Sequence, residues 1–202
     1  MELSKITVID FETSGLDPVK DRVIEMAALR CEEGKIVSQF CTLVKFQGLL
    51  SPKITEMTGI TDRELRRGFD EDAAFQILIN MIGDNLIVAH NAIFDLRFLH
   101  FSLMRLTGKT FRNPFLDTLT ICRLRQPFPH TLQDMCKRYG IHIRNEHRAL
   151  HDAMACWELL KKLNEEKSVA GEINKLGYTA KYGLPDWYPE YAIPEMIEIK
   201  YA

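Results

Sequence analysis

Several things are missing from this chain of 202 residues. No apolar run approaches the ~18 residues of a membrane-spanning helix. There is no internal repeat, no low-complexity tract and no CxxC pair. The five cysteines, Cys31, Cys41, Cys122, Cys136 and Cys156, are odd in number and widely spaced. Reduced, mostly buried thiols are therefore expected rather than a disulfide framework, and with them a cytosolic setting. The opening MELSKITVID has no signal-peptide pattern. Charge of one sign is also lacking: 26 Lys and Arg oppose 28 Asp and Glu, for a net −2. That balance argues against strong non-specific coating of nucleic acid and leaves local basic patches open.

What is present suits one domain with a real core. SKITVIDFE reads as a buried strand. RVIEMAALRCE and KIVSQFCTLVKF are β-rich runs joined at Glu33-Gly34, so the first three strands should form an antiparallel meander. SPKITEMTG and DEDAAFQILINMIGD carry helical spacing. In the second, Ala74, Ile77, Leu78 and Met81 share a face, and Asp70 and Asp72 offer N-cap chemistry. NLIVAHN is a short buried strand followed by a helix that ends at Gly108. PFLDTLTICRLR is a strand running into a helix with Asp117 as N-cap, HTLQDMCKRYG a short helix, and HRALHDAMACWELLKKLNEEK a long amphipathic one. Hairpins first and strand–helix alternation later imply a mixed sheet with helices on its faces.

Three stretches carry chemistry. In VIDFETSGLD, Asp10 and Glu12 are two apart on a strand and point to the same face. Two carboxylates that close repel each other, and a divalent cation removes the penalty; hard oxygen ligands suit Mg²⁺ or Mn²⁺. A solvated polar strand end is the plain alternative. In VAHNAIFD, Asp95 stands in the first turn of a helix, where the dipole favours an acid. In EHRALHDAMACWELL, Asp152 falls beside the stripe Ala149, Ala153, Cys156, Leu159 and Leu160, so it should face the sheet and needs a partner or a metal. His147 and His151 are four apart, a zinc-ligand spacing, but the HExxH motif needs Glu where this chain has Arg148.

Taken together, DFETSGLD, HNAIFD and HRALHDA resemble, in order and spacing over residues 5 to 163, the three motifs of the DEDDh group of DnaQ-like 3′→5′ exonucleases. Within that group the resemblance is to the proofreading epsilon subunit of a bacterial replicative polymerase or a free-standing relative. It implies an α/β, RNase H-like fold: a five-stranded mixed sheet flanked by helices. It implies catalytic roles for Asp10, Glu12, Asp95, His147 and Asp152. The four carboxylates would hold two divalent cations, Mg²⁺ or Mn²⁺, and His147 would be the general base. Thr13, Ser14 and Gly15 would pass close to the terminal nucleotide, Leu16 and Met57 would meet its base, and Asn91 and Phe94 would line the sugar side. The implied substrate is the 3′ end of a nucleic acid, single-stranded DNA first. RNase T-like or oligoribonuclease-like action on RNA and an idle binding module are the alternatives.

Residues 1–166 read as the exonuclease domain and 167–202 as a tail. The stretch from Gly171 holds five of the six tyrosines and prolines at 185, 189 and 194. So aromatic a segment must bury its rings, against its own domain or against a partner such as a polymerase subunit or a second copy. No membrane partner is expected.

Overall fold

The computed structural model describes residues 4–142, 147–177 and 179–195; Tyr178 and residues 196–202 of the tail lie outside it. Three strands open the chain: β1 (Lys5–Thr13), β2 (Val23–Glu32) and β3 (Lys35–Leu43). Each pairs antiparallel with the next. Glu33 and Gly34 turn β2 into β3 with φ of 48° and 78°, the doubly left-handed pattern that matches the strand twist. Helices α1 (Pro52–Thr58), α2 (Asp62–Leu65) and α3 (Glu71–Ile82) follow, then β4 (Leu86–Ala89), α4 (Ala92–Thr107), β5 (Phe115–Asp117), α5 (Thr118–Arg125), α6 (Leu132–Tyr139) and α7 (Ala149–Glu166). β4 joins β1 in parallel and β5 joins β4, giving the order β3-β2-β1-β4-β5. This is the expected five-stranded mixed sheet.

The period of two along β1 divides the core. Ile9 and Phe11 face a cluster with Phe75, Leu78, Leu96 and Phe98 of α3 and α4. Ile6 and Val8 face the opposite cluster, built with Ala153, Cys156, Leu159 and Leu160 of α7. The α7 stripe read from the sequence is thus the buried one. The face read for α3 needs correction. Ala74, Phe75, Leu78 and Ile82 are buried, while Ile77 is exposed and Met81 only half-buried. Asp70 stands at the N-cap position but makes no capping bond; its carboxylate pairs instead with Lys45 Nζ at 3.1 Å. Among the described residues no cysteine is in a disulfide, and Cys41 is the exposed one.

The described part of the tail lies on this same core. Asn174 exchanges two hydrogen bonds with the backbone of Phe115, Oδ1 accepting at 2.9 Å and N donating at 2.7 Å. β6 (Lys175–Leu176) and β7 (Ile193–Pro194) pair in parallel, with α8 (Thr179–Tyr182) between them. Trp187 stacks on His100 of α4 at 3.9 Å between ring centroids and meets Phe101 and Phe111 edge-on. Among the described residues no helix is long and apolar enough to cross a membrane.

Candidate active site

The site forms where the strands of the parallel half end. Asp10 and Glu12 share the parity of Val8, so they extend the α7-facing row of β1. The β1–β2 register slips between Glu12 and Thr13, and regular pairing stops there. α7 brings the second half of the site to the same face. Its first turn carries Asp152, whose Oδ2 accepts the backbone N–H of His147 at 3.1 Å. His147 itself has φ of 59°, a left-handed backbone rarely adopted by non-glycine residues. The result is a group of Glu12, His147 and Asp152 whose ligand atoms all lie within 4.8 Å of one another.

Asp95 arrives from the other side of the sheet. Its Oδ1 accepts the Phe11 N–H at 3.0 Å, so it is locked to the peptide between Asp10 and Glu12. The turn that delivers it is held by Asp117. One carboxylate oxygen of Asp117 accepts from the backbone of Asn91 (2.9 Å), Ala92 (3.1 Å) and Leu119 (3.0 Å), and the other from Thr120 Oγ1 (2.7 Å). Asp117 therefore caps α5, as expected, and also fixes the entry of α4. Asn91 sits there at φ 70°, a conformation that asparagine tolerates.

Charge crowding is severe. Burial first, then the charges of Asp95, Asp152, Glu12 and Glu25, push the Asp10 carboxyl well above the usual carboxylate range. Burial, then Asp152 and Glu25, push Glu12 up to about 8, with the Arg148 guanidinium pulling it down. Burial also raises Asp95, against the stabilising Phe11 N–H. Such a group of acids has the chemistry of a divalent-cation site: hard oxygen donors whose mutual repulsion an ion would cancel.

Sequence reasoning missed Glu25 and Arg148. Glu25 stands directly across the ladder from Glu12 and is almost fully buried. Its carboxylate accepts Arg148 Nη2 at 2.7 Å, Arg148 Nε at 3.1 Å and the Ala149 N–H at 3.0 Å. It thereby caps α7 from outside the helix and fixes the segment that carries His147 and Asp152. The signal available was a lone acid inside the apolar run VIEMAALRCE. Gln133 of α6 was also missed; its amide nitrogen is 3.5 Å from His147 Nε2.

The other expected residues surround this centre unevenly. Leu16 is 80% exposed and Met57 45% exposed, both free to meet a ligand. Phe94 is half-buried and tilts against Phe98, and Asn91 is exposed. Thr13 Oγ1 donates to Gly15 O at 2.6 Å, and Ser14 Oγ accepts the Arg22 N–H at 3.0 Å. Gly15 has a structural reason of its own: a Cβ there would stand 2.2 Å from the Asp21 carboxylate, which closes the loop by accepting the Asp17 N–H. His151 is half-buried on α7.

Residues 7–160 match the family model described as "Exonuclease", RNase_T. The chain belongs to this family, of the DEDDh, DnaQ-like 3′→5′ exonuclease type, whose members depend on divalent metal. A DNA polymerase III of PolC type from Thermotoga maritima is 34% identical over 183 residues, covering 87% of this chain and 13% of the relative. The chain thus spans about an eighth of the length of such relatives. Among solved structures, E. coli exonuclease I in complex with a dA16 oligonucleotide aligns with a TM-score of 0.72 at 22% identity, covering 81% of this chain and 41% of that one. Exonuclease X in complex with 5′-overhanging duplex DNA aligns at 0.66 and 23%, covering 80% and 92%. At these identities the structural likeness shows the fold.

Proposed function

We propose that the chain removes nucleotides one at a time from the 3′ end of single-stranded DNA or frayed duplex ends. Two divalent cations, Mg²⁺ or Mn²⁺, would be held by Asp10, Glu12, Asp95 and Asp152, and His147 would act as the general base. The observation that carries this reading is the convergence of His147 with Glu12 and Asp152 within 4.8 Å, beside the crowded Asp10 and Asp95. When bound, the cations supply positive charge to the oxygens of the scissile phosphodiester. The remaining work falls to the chain's own groups. His147 takes a proton from the attacking water, a role suited to an imidazole near neutral pH. Attack at phosphorus breaks the bond to the 3′ oxygen of the preceding nucleotide, which leaves and is protonated by solvent. The products are a nucleoside 5′-monophosphate and a strand shortened by one. Leu16 and Met57 offer apolar surface to the terminal base, and Asn91 and Phe94 flank its sugar. The PolC-type relatives support a polymerase-associated setting, in which this chain would trim mismatched, frayed ends.

A side-by-side assay of 5′-labelled single-stranded DNA, RNA and duplex, with Mg²⁺, Mn²⁺ or chelator, tests the proposal. The expected result is a metal-dependent ladder shortening from the 3′ end, fastest on single-stranded DNA and stalled by a terminal 3′-phosphate. Release from the 5′ end, or full activity in chelator, would overturn it. Faster loss of RNA would move the substrate towards the RNase T-like reading.

A further inference from the structure

The loop between α5 and α6 presents a large aromatic ring to solvent. Phe128 is 76% exposed, and among the described residues the one ring it meets is the edge of His130 at 6.0 Å. An exposed phenylalanine on a slack loop would call for no explanation. This loop is tied down. Pro127 O accepts from Arg138 Nη1 at 2.8 Å, His130 Nε2 bonds Gln126 O at 2.8 Å, and Gln126 Nε2 donates to the Tyr139 hydroxyl at 2.7 Å. His130 O bonds His90 Nε2 at 3.0 Å, and His90 Nδ1 in turn bonds Thr118 Oγ1 at 3.0 Å. Phe128 is therefore held outward by its frame.

The same bonds tie the loop to two elements that carry the candidate site. His90 immediately precedes Asn91, at the end of β4. Beyond the loop, α6 sets Gln133 against His147. The exposed Leu16 belongs to the β1–β2 loop and Met57 to α1, so Phe128 comes from a different part of the chain. An exposed aromatic face on a loop tied to a site that shortens a nucleic-acid strand suits the stacking of a base, which is tolerant of sequence and worth about 1–3 kcal/mol.

We infer that Phe128 is a stacking platform for an internal base of the bound single strand, upstream of the nucleotide being released. The inference rests on the proposed exonuclease reading and adds a binding position that the catalytic residues do not require. It explains why a framed loop leaves a phenylalanine in water: the ring's partner is the substrate. It also separates two functions in space, with Leu16 and Met57 meeting the terminal base and Phe128 gripping the strand behind it.

The test compares the wild-type chain with Phe128→Ala and Phe128→Trp on two substrates: a single-stranded DNA of about ten nucleotides and the p-nitrophenyl ester of thymidine 5′-monophosphate, which has no upstream base. Phe128→Ala should raise KM for the strand by about 5- to 150-fold, the range that 1–3 kcal/mol spans. It should leave kcat on the strand and hydrolysis of the ester unchanged, and Phe128→Trp should restore the strand KM. In parallel, 2-aminopurine is moved through the first six positions from the 3′ end. Its fluorescence should be quenched at one internal position in the wild type and not in Phe128→Ala. Equal KM on the strand, or equal losses on strand and ester, would overturn the platform. A wild-type chain that neither binds nor shortens the strand would overturn the exonuclease reading itself, and the platform with it.

Discussion

Glu12→Gln should stabilise the protein when divalent cations are removed, and the gain should grow with pH. The carboxamide keeps the shape of the side chain and removes its charge. Glu12 is 8% exposed, and its carboxyl is pushed from 4.5 up to about 8 by burial, Asp152 and Glu25. A carboxyl raised in the folded state helps folding below its unfolded value and loses that contribution as pH rises through the folded value. The wild-type chain in chelator should therefore lose stability through Glu12 between about pH 4.5 and 8, a loss that the variant, which lacks this carboxyl, does not share. At about 1.4 kcal/mol per pH unit, full ionisation of Glu12 would cost on the order of 4–5 kcal/mol. Asp10 shares the repulsion and can hold the proton instead, so about half, ~2 kcal/mol, is the expected net gain. In a domain of this size that corresponds to a melting temperature about 4–8 °C higher.

The assay is thermal unfolding of both proteins followed by circular dichroism in chelator at pH 4.5, 6, 7.5 and 9, then at pH 8 with excess Mn²⁺. The two should melt together at pH 4.5 and diverge above it. Mn²⁺ should reverse the order, because a cation that binds only the folded state stabilises the wild-type chain more. A variant that is less stable than wild type at pH 9 in chelator, or a gain independent of pH, would refute the account of the acidic cluster.

Further outcomes follow from the same geometry. Asp10→Ala should abolish metal-dependent cleavage while the cooperative melt survives, since one member of a repelling cluster is removed; a Mn²⁺ titration and a strand-shortening assay check this. His147→Ala should lower turnover by about 10²–10⁴-fold with Mn²⁺ affinity nearly unchanged, and a large loss of affinity would make His147 a ligand instead of a base. Glu25→Gln should cost about 1–3 kcal/mol in urea unfolding, less than a fully buried pair because Arg148 is half-exposed, and should depress turnover by loosening His147 and Asp152. Trp187→Ala should lower stability by about 2 kcal/mol and leave strand shortening intact; unchanged melting would mean that the tail adds nothing to the core.

The legible parts of this molecule were those written in short-range pattern. The Glu33-Gly34 turn and its flanking β-rich runs announced the meander, and the stripe on α7 named its buried face, because hairpins and amphipathic helices are encoded within a few residues of themselves. On α3 the same reasoning chose a face rotated from the real one. Ala74 and Leu78 belong to both faces, and only the packing of Phe75 against Phe11 decides between Ile77 and Ile82. The acids of the candidate site were visible because each motif has its own local signature. What joins them was not. Glu25 and Arg148 are 123 residues apart, and an acid in one strand gives no sign that it will cap a helix brought across the sheet by the whole fold. Yet the site depends on that link. Four acids that repel one another cannot assemble themselves, so something outside the cluster must hold α7 against β1 and β2. The apolar stripe of α7 supplies the force, and the Glu25 carboxylate, fixed at the helix entry, supplies the register. Residues that do such work stand within apolar runs, where a charge has no local reason to be, and that misplacement is the mark by which a strand acid like Glu25 can be recognised.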